Sequence, residues 1–157
     1  MNKIHGVKTY QKYIEMGITM TTLKEDLIAL GIDYNKTLER FLGKPDFYRE
    51  FLYQFPDDPQ LDTLLAATKD HDVKKAFKAA HTLKGLCGNL GLNNLLKPIL
   101  PLVEILRKDS FDGIESLLDE LVIQHKKTCD VLELHRNAGQ IDDLIETAYH
   151  QLTLFRD

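Results

Sequence analysis

Apolar residues recur at spacings of three and four along nearly the whole chain, and no stretch alternates apolar and polar residues with a period of two. That pattern admits helices and leaves no candidate strand. The expected fold class is therefore all-α, an antiparallel up-down four-helix bundle with short connections and additional N- and C-terminal helices. With 157 residues, 43% of them apolar, the chain can bury one core. The expected organisation is an N-terminal extension over residues 1–21, a bundle over residues 22–136 and an accessory helix over residues 137–157.

Capping residues punctuate the pattern. Thr22 and Glu25 form a capping box for a helix that carries Leu23, Leu27, Ile28 and Leu30 and stops at Gly31. Asp33 can cap the next helix, through Leu38 and Phe41 to Leu42, with Gly43 past its end. Pro45 suits the first position of a third helix, whose Phe47, Tyr48, Phe51, Leu52 and Phe55 read as core. Pro56 and Pro59 predict a kink or break before Leu61, Leu64 and Leu65. Asp72 is an N-cap for a helix from Val73 to about Leu90, and Asn93 or Asn94 for one that ends near Arg107. Pro98 and Pro101 predict a kinked or partly unwound start to that helix. A long helix from about Ile114 to Leu134 is expected to break at Asn137-Ala138-Gly139, ahead of a last helix over residues 140–155. Before Thr22, Tyr10, Tyr13 and Ile14 suggest a short helix.

Several function classes find no support. The net charge of −4 lacks the basic excess of a dedicated nucleic-acid binder. Apolar runs of a few residues cannot span a membrane, and Met1–Gly6 has no apolar signal core. Cys87 and Cys129, with no CxxC, fit free thiols in a reducing cytoplasm. A Gly-rich phosphate loop is absent, so ATP binding is not expected. His125 and Cys129 stand four apart with His135 further on, a spacing that could hold a metal. They fall near the apolar stripe without a fourth ligand, so they read as core, and no resident metal or cofactor is expected.

The helix from Val73 to Leu90 is unlike the others. Val73, Ala76, Phe77, Ala80, Leu83, Cys87 and Leu90 make its core stripe, and His81 projects off it. Lys74, Lys78, Gly85 and Gly88 share the flank of His81, and Lys84 lies between that flank and the core. Glycine within a helix costs about 1 kcal/mol relative to alanine. Here glycines follow the histidine at four, seven and ten residues. A neutral imidazole is a nucleophile near neutral pH and can hold a phosphoryl group as a phosphoramidate. Lysines around it would balance phosphate charge, and glycines would let a partner's backbone come close. With no general base in the motif, the arrangement reads as a phosphate carrier, not an enzyme.

His81-Thr82-Leu83-Lys84-Gly85, with Gly88, Gly91 and Leu92, resembles the signature of histidine-containing phosphotransfer (HPt) domains over roughly residues 22–135. The resemblance implies a four-helix bundle that takes a phosphoryl group from a receiver-domain aspartyl phosphate and passes it to another receiver. His81 would be the phosphoacceptor and Lys84 the phosphate-side cation. Gly85 and Gly88 would give the receiver clearance, with Lys74 and Lys78 tuning its docking. Implied partners are response-regulator receivers, among them one carried by a hybrid sensor kinase, which would bring the Mg²⁺. The family pattern continues with a proline-free helix bearing a polar residue that orients the histidine; here the nearest candidate is Glu104. A competing reading is a non-phosphorylated receiver-docking or dimerisation module. The Pro98 and Pro101 helix favours it, while His81 and Lys84, which docking alone does not require, oppose it.

Overall fold

The structure, a computed structural model, describes residues 21–154 together with Glu15, so the expected helix around Tyr10, Tyr13 and Ile14 lies outside the described residues. Helices α1 (Leu23–Ala29), α2 (Tyr34–Arg40) and α3 (Pro45–Leu52) lead through a 3-10 turn (Phe55–Asp57) into α4 (Gln60–Lys69). Then follow α5 (Val73–Leu90), α6 (Asn93–Arg107) and α7 (Glu115–Leu154). Helix α4 packs on α5, α5 on α6 and α6 on α7, while α1 and the 3-10 turn rest on α7. The fourth wall of the bundle is the broken segment α3–turn–α4. Phe55 lies against the His125 ring at 5.4 Å, and Arg136 donates to the Tyr53 carbonyl at 3.2 Å. The protein is an all-α helical bundle.

Side-chain caps start three of the helices. Thr22 accepts from the Glu25 N–H at 3.1 Å, Asp33 from Lys36 at 3.3 Å and Asp72 from Lys75 at 3.1 Å. Each satisfies an N–H that the first helical turn leaves without a partner. Pro45 opens α3 as expected, and the segment from Pro56 to Pro59 is a true break filled by the 3-10 turn. At α6 the residue before the helix is Leu92, with no side-chain cap, and Asn93 is already helical. Asn94 instead reaches across the bundle, donating to Thr128 at 3.0 Å and Gln124 at 3.2 Å on α7.

Three further expectations are corrected. Helix α6 is not unwound near its start but stays helical through both Pro98 and Pro101. The N–H groups they lack would have served the carbonyls of Asn94 and Lys97. Leu95, Pro98, Ile99, Leu102, Val103 and Leu106 are all buried, and this continuous apolar seam outweighs the local cost. Helix α7 does not break at Asn137-Ala138-Gly139 but runs for 40 residues, about 60 Å at 1.5 Å per residue. One glycine in a helix costs only about 1 kcal/mol. The turns before it are anchored by buried Leu121, Thr128 and Leu132 and by the His135–Asp26 contact to α1, at 2.6 Å. Finally, the aromatic stripe of α3 is split. Tyr48, Leu52 and Phe55 are buried, whereas Phe47 and Phe51 keep 38% and 41% exposure and cluster with Phe41. Within α3, Phe47 and Phe51 fall on one edge of the stripe and Tyr48 and Leu52 on the other, about 100° round, and only the latter edge is buried.

The end of α5 is held most tightly. Gly91 has φ of +71°, and the Leu92 N–H returns to the Cys87 carbonyl at 2.9 Å, closing a left-handed C-terminal cap. Tyr48, from α3, donates its hydroxyl to the Leu90 carbonyl at 2.5 Å. Buried Thr37, from α2, fills the space where a Gly91 side chain would go. Two N-terminal helices thus fix the end of the helix that carries His81.

Candidate functional site

His81 lies in the middle of α5 and is exposed, as are Lys74, Lys78 and Gly85. Lys84 and Gly88 are half-buried. The opposite face is the core: Ala76, Ala80, Leu83, Cys87 and Leu90 are buried. At about 100° per residue, positions 74, 78, 81, 85 and 88 share one side of the helix. The structure therefore brings together the residues singled out in the sequence, on a face open to solvent. Apart from the adjoining residues and backbone of α5, no described heavy atom lies within 4 Å of where a Cβ at Gly85 or at Gly88 would stand. Those glycines do not ease close packing inside the molecule.

Phe77 corrects the expected core stripe. It is half-buried and stacks on the His81 ring, with centroids 5.7 Å apart and planes 23° from parallel. The Arg107 guanidinium, from α6, sits 5.1 Å from the Phe77 centroid. Glu104, the expected orienting residue, pairs with Arg107 at 3.4 Å. Among the described residues no side-chain hydrogen bond to His81 is found. At the far end of the face, Arg40 of α2 donates to the Gly88 carbonyl. The spacing of four between Phe77 and His81 was readable in the sequence. Arg40 and Arg107 were not, because each arrives from another helix.

The other candidates, His125, Cys129 and His135, are half-buried on α7. Cys129 Sγ lies 3.7 Å from both His125 ring nitrogens, and His135 is turned away to Asp26. Among the described residues no group of three His, Cys, Asp or Glu side chains is placed to hold a metal ion. Burial pulls the His125 pKa down, against Asp62 and Asp58. Burial likewise pushes Cys129 up to about 11 and Cys87 to about 12, and the Tyr48 hydroxyl to about 12. Two outcomes follow. Folded Cys87 is expected to react with iodoacetamide at least about 100-fold more slowly than the denatured chain. Because these folded-state values lie above the unfolded ones, the stability linked to them is fully present below the unfolded pKa values. It is lost as the pH rises from about 8.5 toward the folded values. The urea midpoint should fall between about pH 7 and about pH 10; a higher midpoint at the alkaline end would reverse the sign.

The model of one family, described as the Hpt domain, matches residues 46–152. The chain belongs to the Hpt domain family. Hpt domains serve histidine phosphotransfer in phosphorelay signalling and interact with receiver domains of response regulators. The matched span begins after α1 and α2 and continues into the distal part of α7, whereas the resemblance was expected over roughly residues 22–135. No curated protein and no solved structure matches the chain. No described helix of this Hpt domain is long and apolar enough to cross a membrane.

Proposed function

We propose that His81 is the phosphoacceptor of a phosphorelay intermediate, receiving its phosphoryl group from the aspartyl phosphate of one receiver domain and delivering it to a second. The observation that carries this reading is the exposed imidazole at the centre of α5 with Gly85 and Gly88 open beside it. The other described histidines are placed less well. His125 and His135 are half-buried and engaged with Cys129 and Asp26. His71 occupies a turn with φ of +54°, and His150 is exposed near the C-terminal end of α7, with no glycine on the turns around it.

In the step, the in-plane lone pair of one His81 ring nitrogen attacks phosphorus. The N–P bond forms as the bond from phosphorus to the aspartyl oxygen breaks, and its electron pair leaves on the carboxylate. The second ring nitrogen carries the proton. The reverse sequence loads the second receiver. Lys84, with Lys78 and Lys74, offsets phosphate charge as mobile ammonium groups. The partner receiver brings Mg²⁺ and the acidic pocket, so the chain acts as a carrier and does not catalyse the transfer by itself. One receiver would belong to a hybrid sensor kinase. We place this exchange in the cytoplasm, a compartment that maintains free thiols such as Cys87 and Cys129.

The test is incubation with phosphorylated receiver domains from the same genome. Acid-labile, alkali-stable label is expected on the wild-type chain and absent from His81→Gln. Label that survives the substitution refutes the assignment. A pure docking module would bind the receiver equally well with either residue and take no label.

A further inference from the structure

We infer that Phe77 and Arg107 are positioning residues for His81, which set the plane of the imidazole that faces the incoming phosphorus. The inference rests on the phosphoacceptor reading and goes beyond it by naming what orients the ring. The nucleophilic lone pair lies in the ring plane, so rotation about the last side-chain torsion moves it off the line of attack. That torsion is broad for histidine. A hydrogen bond to the second ring nitrogen would narrow it, but among the described residues no such side-chain bond reaches His81. The nearest expected donor or acceptor, Glu104, is committed to Arg107 at 3.4 Å.

A stack can do the same work. Phe77 precedes His81 by four residues on α5, and side chains in a helix lean toward its N-terminus, so the later ring covers the earlier one. The 5.7 Å centroid distance and 23° interplanar angle fall within the range of offset-stacked rings. A stacked partner restrains the plane of the imidazole yet occupies neither in-plane nitrogen, leaving one for phosphorus and the other for the proton. Phe77 is restrained in its turn. It is half-buried against the core, and the Arg107 guanidinium lies 5.1 Å from its centroid. Glu104, one turn earlier on α6, holds Arg107 by their i,i+3 pair. The orientation of His81 is thereby referred to a neighbouring helix, α6, across the α5–α6 contact.

A docked donor and a free donor separate positioning from other roles. A docked receiver presents phosphorus from one fixed direction, whereas phosphoramidate approaches the ring from any direction. Phe77→Leu is expected to lower kcat for transfer from the receiver about tenfold, with KM nearly unchanged. Labelling from phosphoramidate should stay within about twofold of wild type, and Phe77→Tyr should restore receiver transfer. Arg107→Gln should give a smaller loss of the same kind. In NMR spectra the His81 ring protons should lose an upfield ring-current shift in Phe77→Leu and keep it in Phe77→Tyr. The inference is overturned by wild-type kcat in Phe77→Leu, by equal slowing with both donors, by a rise in KM alone, or by unshifted ring protons. A wild-type chain that takes label from neither donor overturns the phosphoacceptor reading itself, and the positioning role with it.

Discussion

Gly91→Ala is expected to lower the unfolding free energy by about 2–5 kcal/mol, while Gly85→Ala raises it by about 0.5–1 kcal/mol. The two glycines interrupt and end the same helix, α5, yet their surroundings are opposite. Gly91 has φ of +71°, a region that strains any residue with a Cβ. A methyl group there would also strike Thr37 Oγ1 and come within 2.9 Å of Thr37 Cβ and Cγ2. Thr37 cannot move away cheaply, because it is buried and its hydroxyl donates to the Asp33 carbonyl at 2.8 Å. Gly85 has helical backbone and nothing within 4 Å of its missing Cβ, so alanine there gains helix propensity and meets no neighbour. Urea titration of both variants measures the contrast. Equal shifts of the same sign would mean that neither the left-handed cap nor the Thr37 contact constrains position 91.

Gly85→Leu should leave the bundle folded and reduce receiver-dependent transfer by at least about 100-fold. The same open space that makes Gly85→Ala stabilising makes a leucine tolerable to the fold. The cost of the wild-type glycine is about 1 kcal/mol of helix stability, and no internal contact uses the space it leaves. A partner's backbone does use it in the proposed complex, one helical turn beyond the imidazole. A leucine there displaces the donor phosphorus from the ring, and small displacements are costly in a transfer that depends on in-line geometry. Circular dichroism and the urea midpoint show whether the variant is folded. Transfer at the wild-type rate by a folded Gly85→Leu would remove the clearance role of this glycine.

How much of this was legible in the chain differs from element to element. The start of α5 followed from Asp72, because cap chemistry is local and leaves a residue-specific mark, and its end near Leu90 was also read correctly. The exposed side of α5 was also readable, since helical periodicity alone puts Ala76, Leu83 and Cys87 opposite His81. What periodicity could not show was the outcome of competition between local cost and tertiary burial. Pro98 and Pro101 are poor helix residues, but the buried seam from Leu95 to Leu106 keeps α6 in one piece. Gly139 likewise reads as a stop, and α7 passes through it because the turns before it are already anchored on α1 and the 3-10 turn. The stripe from Phe47 to Phe55 read as uniformly apolar, but it is wider than the buried side of α3, which takes Tyr48 and Leu52 and leaves Phe47 and Phe51 part-exposed. At the site itself, Lys74, Lys78, His81, Lys84, Gly85 and Gly88 could be named from one helix. Arg40 and Arg107 come from α2 and α6, and their arrival depends on how three helices cross.

The most direct test of His81 as the phosphoacceptor is the position of the transferred phosphorus. After transfer from a phosphorylated receiver, phosphorus–proton correlation NMR of the intact wild-type chain should show a phosphoramidate coupled to the ring protons of His81. The signal should be missing from His81→Gln and should disappear from the wild type when a second, unphosphorylated receiver is added. A phosphorus signal coupled to any other side chain, or one of full intensity in His81→Gln, would contradict the assignment.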